Sequence, residues 1–148
     1  MKDTHYILDI PTSEEAEFID DALTAFNAAQ APFTQSDPFV PFRYCARDGN
    51  GALLGGILAY AVCWHILYID TLWVREDERG KGLGGALLAA VEKDARAMGC
   101  HLAHLSTFDF QGKSFYLRHG YTIFGTLNDS PPGHQELFMT KRLDTHAD

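Results

Sequence analysis

Leu72-Trp73-Val74-Arg75-Glu76-Asp77-Glu78-Arg79-Gly80-Lys81-Gly82-Leu83-Gly84-Gly85 is the stretch on which the fold turns. It begins as apolar, strand-like sequence, passes through the charged run Arg75 to Arg79, and then places four glycines among six residues. After it, Leu83, Leu87, Val91, Ala95 and Met98 recur every three or four positions, the period of a helix with one apolar face. Gly99 follows as a C-terminal stop. The first amides of such a helix lack internal partners and sit at the positive end of its dipole. Glycines let several N–H groups converge on one anion with no Cβ in the way. Arg79 and Lys81 add cations at the same place, so Arg79 to Gly84 reads as a cradle for a diphosphate.

On either side the pattern is that of alternating strands and short helices. His5 to Ile10 reads as a strand closed by Pro11. Thr12 and Glu15 form a capping box for a helix from Glu14 to about Gln30, whose Ile19, Leu23, Phe26 and Ala29 predict one buried stripe. Pro32, Pro38 and Pro41 predict a loop. Phe42 to Arg47 is a strand, and Asp48-Gly49-Asn50-Gly51 a hairpin turn. Ala52 to Val62 and Ile66 to Val74 are two further strands. Leu102 to Thr107 is a strand parallel to its predecessor, because a helix separates the two. Gly112 to His119 is a short helix, and Tyr121 to Leu127 and Glu136 to Leu143 are the last two strands. The fold class is α+β: a mixed, mostly antiparallel central sheet, a crossover helix after the glycine-rich loop, and flanking helices on both faces. Residues 1–148 read as a single domain.

Composition excludes several classes. With 12 Lys+Arg against 20 Asp+Glu, the net charge of −8 disfavours coating a nucleic acid, which depends on neutralised phosphates. From Ala52 to Val74 the only charge is Asp70, a length that could span a bilayer. His65, Asp70, Gly55-Gly56 and the β-branched and aromatic residues of its second half favour two buried strands, hence a soluble protein. No signal peptide is visible. Cys45, Cys63 and Cys100 are odd in number, lack a CxxC pair and read as reduced core thiols in a cytoplasmic protein. His101 and His104 form HxxH, but on a strand that spacing sends them to opposite faces, so no metal site is expected.

Competing readings of the glycine loop fail on particular residues. A nucleotide P-loop needs Ser or Thr after Gly-Lys, and Gly82 follows Lys81. Gly80, Gly82 and Gly85 satisfy GxGxxG, yet a charged run and three earlier strands stand where the dinucleotide fingerprint allows none, and the acid about 20 positions on is missing. Glycines for tight packing alone remain the bland alternative.

The segment Leu72 to Gly84 resembles the central R/Q-x-x-G-x-G/A motif of the GNAT superfamily of acetyl-CoA-dependent N-acetyltransferases, with Arg79, Gly82 and Gly84 in the motif positions. Phe115-Tyr116-Leu117-Arg118-His119-Gly120-Tyr121 is similar to the family's later Tyr-x-x-x-Gly-aromatic segment. The order of elements agrees from about residue 5 to 143. The resemblance implies acetyl transfer from acetyl-CoA to a primary amine by direct attack in a ternary complex. It implies that the amides of Arg79, Gly80, Lys81, Gly82, Leu83 and Gly84 hold the pyrophosphate and that Leu72, Trp73 and Val74 pair with the pantetheine arm. A backbone N–H of that strand would polarise the thioester carbonyl.

By the same resemblance Tyr116 is the general acid and Asp70, four residues before Val74, stands where relatives place a Glu base. The shorter Asp70 side chain calls for a bridging water. The plain alternatives are an aromatic core residue for Tyr116 and a strand-edge acid for Asp70. Where many relatives carry Asn after the preceding strand, this chain has Asp109. His134, in the last hairpin loop, is a tentative substrate contact, its alternative being an exposed loop histidine. The implied partners are acetyl-CoA and a small-molecule or peptide amine, with no nucleic acid, membrane or metal; homodimers are common in the family. A non-catalytic acyl-CoA sensor or scaffold is the rival function, and Tyr116 and Asp70 speak against it.

Overall fold

A computed structural model describes residues 5–145, which fall into two compact units divided between Phe33 and Thr34. The first contains helix α1 (Ser13–Gln30), and its capping box forms as the sequence requires: Glu15 N–H donates to Thr12 Oγ1 and Thr12 N–H to Glu15 Oε1, at 3.2 and 3.0 Å. The Thr12 N–H, and after it the Thr12 hydroxyl, hold the Glu15 carboxyl below its usual range. Within this unit the stripe Ile19, Leu23 and Phe26 of α1 meets no core, since about thirty residues enclose none of their own. One expectation fails here. His5 to Ile10 forms no strand, because none of the sheet pairings draws on it and an unpaired strand has no ladder to hold it.

The second unit is built on β1 (Phe39–Arg47), β2 (Leu53–Val62), β3 (Ile66–Val74), α2 (Leu83–Met98), β4 (Leu102–Phe108), α3 (Lys113–Arg118), β5 (Thr122–Asn128) and β6 (Gln135–Arg142). The sheet order is β1-β2-β3-β4-β6-β5, antiparallel throughout except for the parallel β3–β4 pair that α2 connects. Strand β1 begins earlier than expected and takes in Pro41; as the sheet's edge, it has a side on which a missing N–H costs no ladder bond. Asp48 closes the β1–β2 turn by accepting from the N–H groups of Asn50 and Ala52 at 2.8 and 2.9 Å. Cys63 and Cys100 are buried, but Cys45 is exposed: it shares the outward side of β1 with Pro41 and Arg43, whereas Val40 and Phe42 pack inward.

One irregularity sets the inner and outer sides of β3. Ala59 of β2 faces Ile69 and Leu58 faces Thr71, so Asp70 is the extra residue of a β-bulge. Leu67 and Ile69 point into the core before the bulge, and Leu72 packs on the core after it. Without the bulge the alternation would turn Leu72 outward.

The core joins Ile57, Leu67, Leu88, Val91, Tyr121 and Met139, all fully or almost fully buried. Glu92 of α2 is buried among them and accepts from Lys141 Nζ through both carboxylate oxygens, at 2.6 and 3.0 Å. The same ammonium donates to the His119 carbonyl at 2.9 Å and lies 5.5 Å from the Tyr121 ring centroid, so one cation ties α2, β6 and the end of α3. Removing one member leaves a charge stranded in the core. Lys141→Met is expected to lower unfolding free energy by about 3 kcal/mol in urea, and adding Glu92→Leu to recover most of that loss.

Candidate active site

The parallel β3–β4 ladder is short. It pairs Ile66 with Leu102, Leu67 with Ala103 and Tyr68 with His104, and beyond that point the strands separate. The gap opens into a cavity of about 650 Å³. Its walls are the ends of β3 and β4, the loop after β4, and the first turns of α2 and α3. Among the residues singled out from sequence, it brings together Asp70, Leu72, Trp73, Val74, Arg79, Gly84 and Tyr116. Gly80, Lys81, Gly82 and Leu83 lie outside the lining, in the loop that leads to it; the Leu83 side chain packs on the core. His134 is also outside the lining.

The glycines divide into two kinds. Gly80 and Gly82 have φ of +76° and +87°, and a Cβ on either would meet open space. Gly82 is the N-cap of α2, and no side chain caps that end. Its amides are therefore presented without a built-in partner, as an anion cradle requires. Gly84 and Gly85 serve packing: a Cβ there would stand 3.1 Å from the Phe115 ring and 2.9 Å from His119 Nε2. His119 is in turn fixed through Nδ1 to the Phe115 carbonyl at 2.8 Å.

The charged run before the loop is largely self-paired. Arg75 contacts Asp77 at 2.6 and 3.0 Å, and Lys81 lies 3.6 Å from Glu78. Arg75 holds the Asp77 carboxyl below its ordinary range. Arg79 Nε donates to the Val74 carbonyl at 3.0 Å, which occupies one of the β3 backbone groups at the cavity and anchors the loop to the strand end.

Tyr116 is buried, with its ring edge-on to Phe115 and Tyr121 at 5.1 and 5.6 Å. Burial pushes its phenol up to about 12, so it keeps its proton across the whole neutral range. Gly112 makes room for it, since a Cβ there would come within 2.8 Å of the ring. Asp70 is exposed at its bulge and faces the same cavity.

Sequence reasoning missed Thr107, Phe108, Phe110 and Gln111. Gln111 Oε1 accepts from Phe108 N–H at 3.0 Å, and Thr107 Oγ1 from Gly112 N–H at 3.1 Å, so the loop after β4 is tied into the wall. Asp109 does not face the cavity lining; its carboxylate accepts from Gln135 N–H and lies 2.9 Å from His134 Nδ1. His104 stacks beside Tyr68 at 5.1 Å, where burial lowers its basicity. Among the described residues no group of three or more His, Cys, Asp or Glu side chains could hold a metal ion, and no helix is long and apolar enough to cross a membrane.

Residues 5–121 match the profile of the Acetyltransferase (GNAT) family. The chain belongs to this family. This acetyltransferase is 36% identical over 115 residues to the blasticidin-S acetyltransferase of Streptomyces morookaense, spanning 77% of its own length and 84% of the relative's. Its structure superposes with a TM-score of 0.83 on an acetyltransferase from Bacillus cereus ATCC 14579, at 31% identity over 93% of this chain and 97% of the other. At 17% identity and a TM-score of 0.64, an aminoglycoside 6'-N-acetyltransferase complexed with coenzyme A shares the fold, with coverage of 96% and 100%. The fold expectation, a mixed and mostly antiparallel sheet with a crossover helix, is borne out.

The raised Tyr116 phenol carries a pH consequence. An ordinary tyrosine is mostly ionised at about pH 10.5; Tyr116 is expected to remain protonated there. Spectrophotometric titration of Tyr116→Phe should accordingly match the parent's tyrosinate absorbance up to that pH.

Proposed function

We propose that this acetyltransferase transfers the acetyl group of acetyl-CoA to a primary amine by direct attack in a ternary complex. The observation that carries the reading is the β3–β4 opening, which lines one cavity with a buried phenol, an exposed carboxylate and the start of an uncapped glycine-led helix. Acetyl-CoA supplies the activated acetyl group as a thioester. The open space at Gly80 and Gly82 and the bare N-terminus of α2 fit its pyrophosphate, with Arg79 and Lys81 beside it. Leu72, Trp73 and Val74 offer the strand edge for its pantetheine arm. The Val74 carbonyl is already engaged by Arg79, so that pairing rests on the neighbouring backbone groups.

In this reading Asp70 takes a proton from the incoming alkylammonium, directly or through one water. An alkylammonium has a reference pKa of about 10.4, so little free amine exists at neutral pH without such help. Tyr116, protonated throughout that range, donates to the departing thiolate. The chain's net charge of −8 supports a cationic acceptor, and the named acceptor of one relative supports including blasticidin S among the compounds tried.

Thiol release from acetyl-CoA against a panel of amines tests the proposal. Tyr116→Phe should lower kcat by about 10²-fold while leaving acetyl-CoA affinity nearly unchanged. Gly82→Glu should abolish acetyl-CoA binding in calorimetry, since it sets bulk and negative charge where phosphate belongs. Asp70→Asn should retain activity mainly at high pH, where the amine has already lost its proton; an unaltered pH–rate profile would remove Asp70 from the base role.

A further inference from the structure

His134 and Asp109 form a pair that the reaction just described does not use. The contact is 2.9 Å between His134 Nδ1 and Asp109 Oδ1. Asp109 is itself fixed to the start of β6: its Oδ2 accepts from Gln135 N–H at 3.0 Å, and its own N–H donates to the Gln135 carbonyl at 3.0 Å. The loop that carries His134 is held as well, by His134 N–H to the Pro131 carbonyl at 2.9 Å. An ionised carboxylate only accepts hydrogen bonds, so Nδ1 is the nitrogen that carries a proton, and the tautomer with its single proton there has Nε2 as an acceptor. The ring is also placed beside the cavity. Phe110 lies edge-on to it at a centroid distance of 4.9 Å, and Phe110, stacked at 5.3 Å on Phe108, forms part of the cavity wall with that neighbour. Phe108 ends β4 and Phe110 follows it, at some remove in the chain from the glycine loop that leads to α2.

We propose that His134, oriented by Asp109, recognises the acceptor: its Nε2 accepts a hydrogen bond from a second donor group of the substrate, beyond the amine that is acetylated. The substrate class is therefore a polyfunctional amine, a diamine or amino alcohol, in preference to a plain alkylamine. A second ammonium is favoured over a hydroxyl because the Asp109 carboxylate lies directly behind the ring. The inference rests on the transferase reading and deepens it. His134 is the contact, and Asp109 is a positioning residue that fixes which ring nitrogen carries the proton.

Kinetics with matched acceptors test this, using diamines and amino alcohols of three to eight carbons beside monoamines of equal length. The parent protein should show a KM for its best bifunctional acceptor about tenfold or more below that of the matched monoamine, the worth of one hydrogen bond to a charged group. His134→Ala should bring the two together with the KM for acetyl-CoA unchanged, and His134→Gln, whose amide oxygen can accept, should keep part of the difference. Asp109→Asn is the sharper variant. Its amide oxygen can still take the Gln135 N–H, while its NH2 donates to Nδ1 and moves the ring proton to Nε2. Discrimination should then disappear in the folded protein, with 15N imidazole shifts reporting the exchanged tautomer. Equal KM values in the parent, or discrimination that survives in His134→Ala, would overturn the assignment while leaving the transferase reading standing. A parent protein that releases no thiol with any amine would overturn both.

Discussion

A parallel strand pair cannot be closed by a hairpin, and from that constraint the site follows. β3 and β4 are the one parallel pair in the sheet, so a helix has to carry the chain from the end of one to the start of the other. The ladder between them forms where β4 enters, at Leu102 to His104, and is not continued toward the ends of the strands. That unzipped end exposes backbone inside the domain, where it would otherwise be costly to leave polar groups unpaired. The crossover helix begins at the same end, so Gly84 of its first turn and the open strand edges share one cavity. The location of the candidate site is thus a consequence of topology before it is one of side chains.

Within that frame, two local departures from regularity do specific work. The bulge at Asp70 lets β3 bury Leu67 and Ile69 and still pack Leu72 inward, and the residue left over is the one that projects into the cavity. A regular strand could not turn Leu67, Ile69 and Leu72 all inward and present an acid between them. The glycines are equally divided in purpose. Gly80 and Gly82 adopt left-handed backbone and leave space, whereas Gly84 and Gly85 let Phe115 and His119 of the α3 region close on the first turn of α2. Close packing and open space, the bases of two rival accounts of one motif, fall to different residues of it.

How far the sequence discloses this depends on the range of the interaction concerned. The capping box at Thr12, the turn at Asp48 and the stop at Gly99 are set by neighbours within a few positions, and each forms as read. The parallel pairing of β3 and β4 follows from the intervening helix and was equally legible. Pro41 was read as loop because a proline's missing donor matters only if its strand is interior, and edge position is a property of the whole sheet. The stripe of α1 predicts one apolar face, but period alone cannot say what a helix packs against. The bulge at Asp70 left no local signal, since it exists only in the register with β2. The Asp109–His134 contact joins residues 25 positions apart in two loops, beyond the reach of any spacing rule.

The division of labour between Asp70 and Tyr116 in the proposed reaction starts from residue type, since any phenol keeps its proton at neutral pH, and burial reinforces it. Burial among Phe115 and Tyr121 penalises the phenolate, which makes Tyr116 a group that arrives at the reaction protonated and unable to serve as the base at neutral pH. The bulge leaves the Asp70 carboxylate exposed and facing the same cavity. A buried phenol and an exposed carboxylate are thereby brought to one cavity, one to donate a proton and one to accept it in the proposed reaction. Nothing but the packing of α3 against the core and one extra residue in β3 is needed to maintain this arrangement.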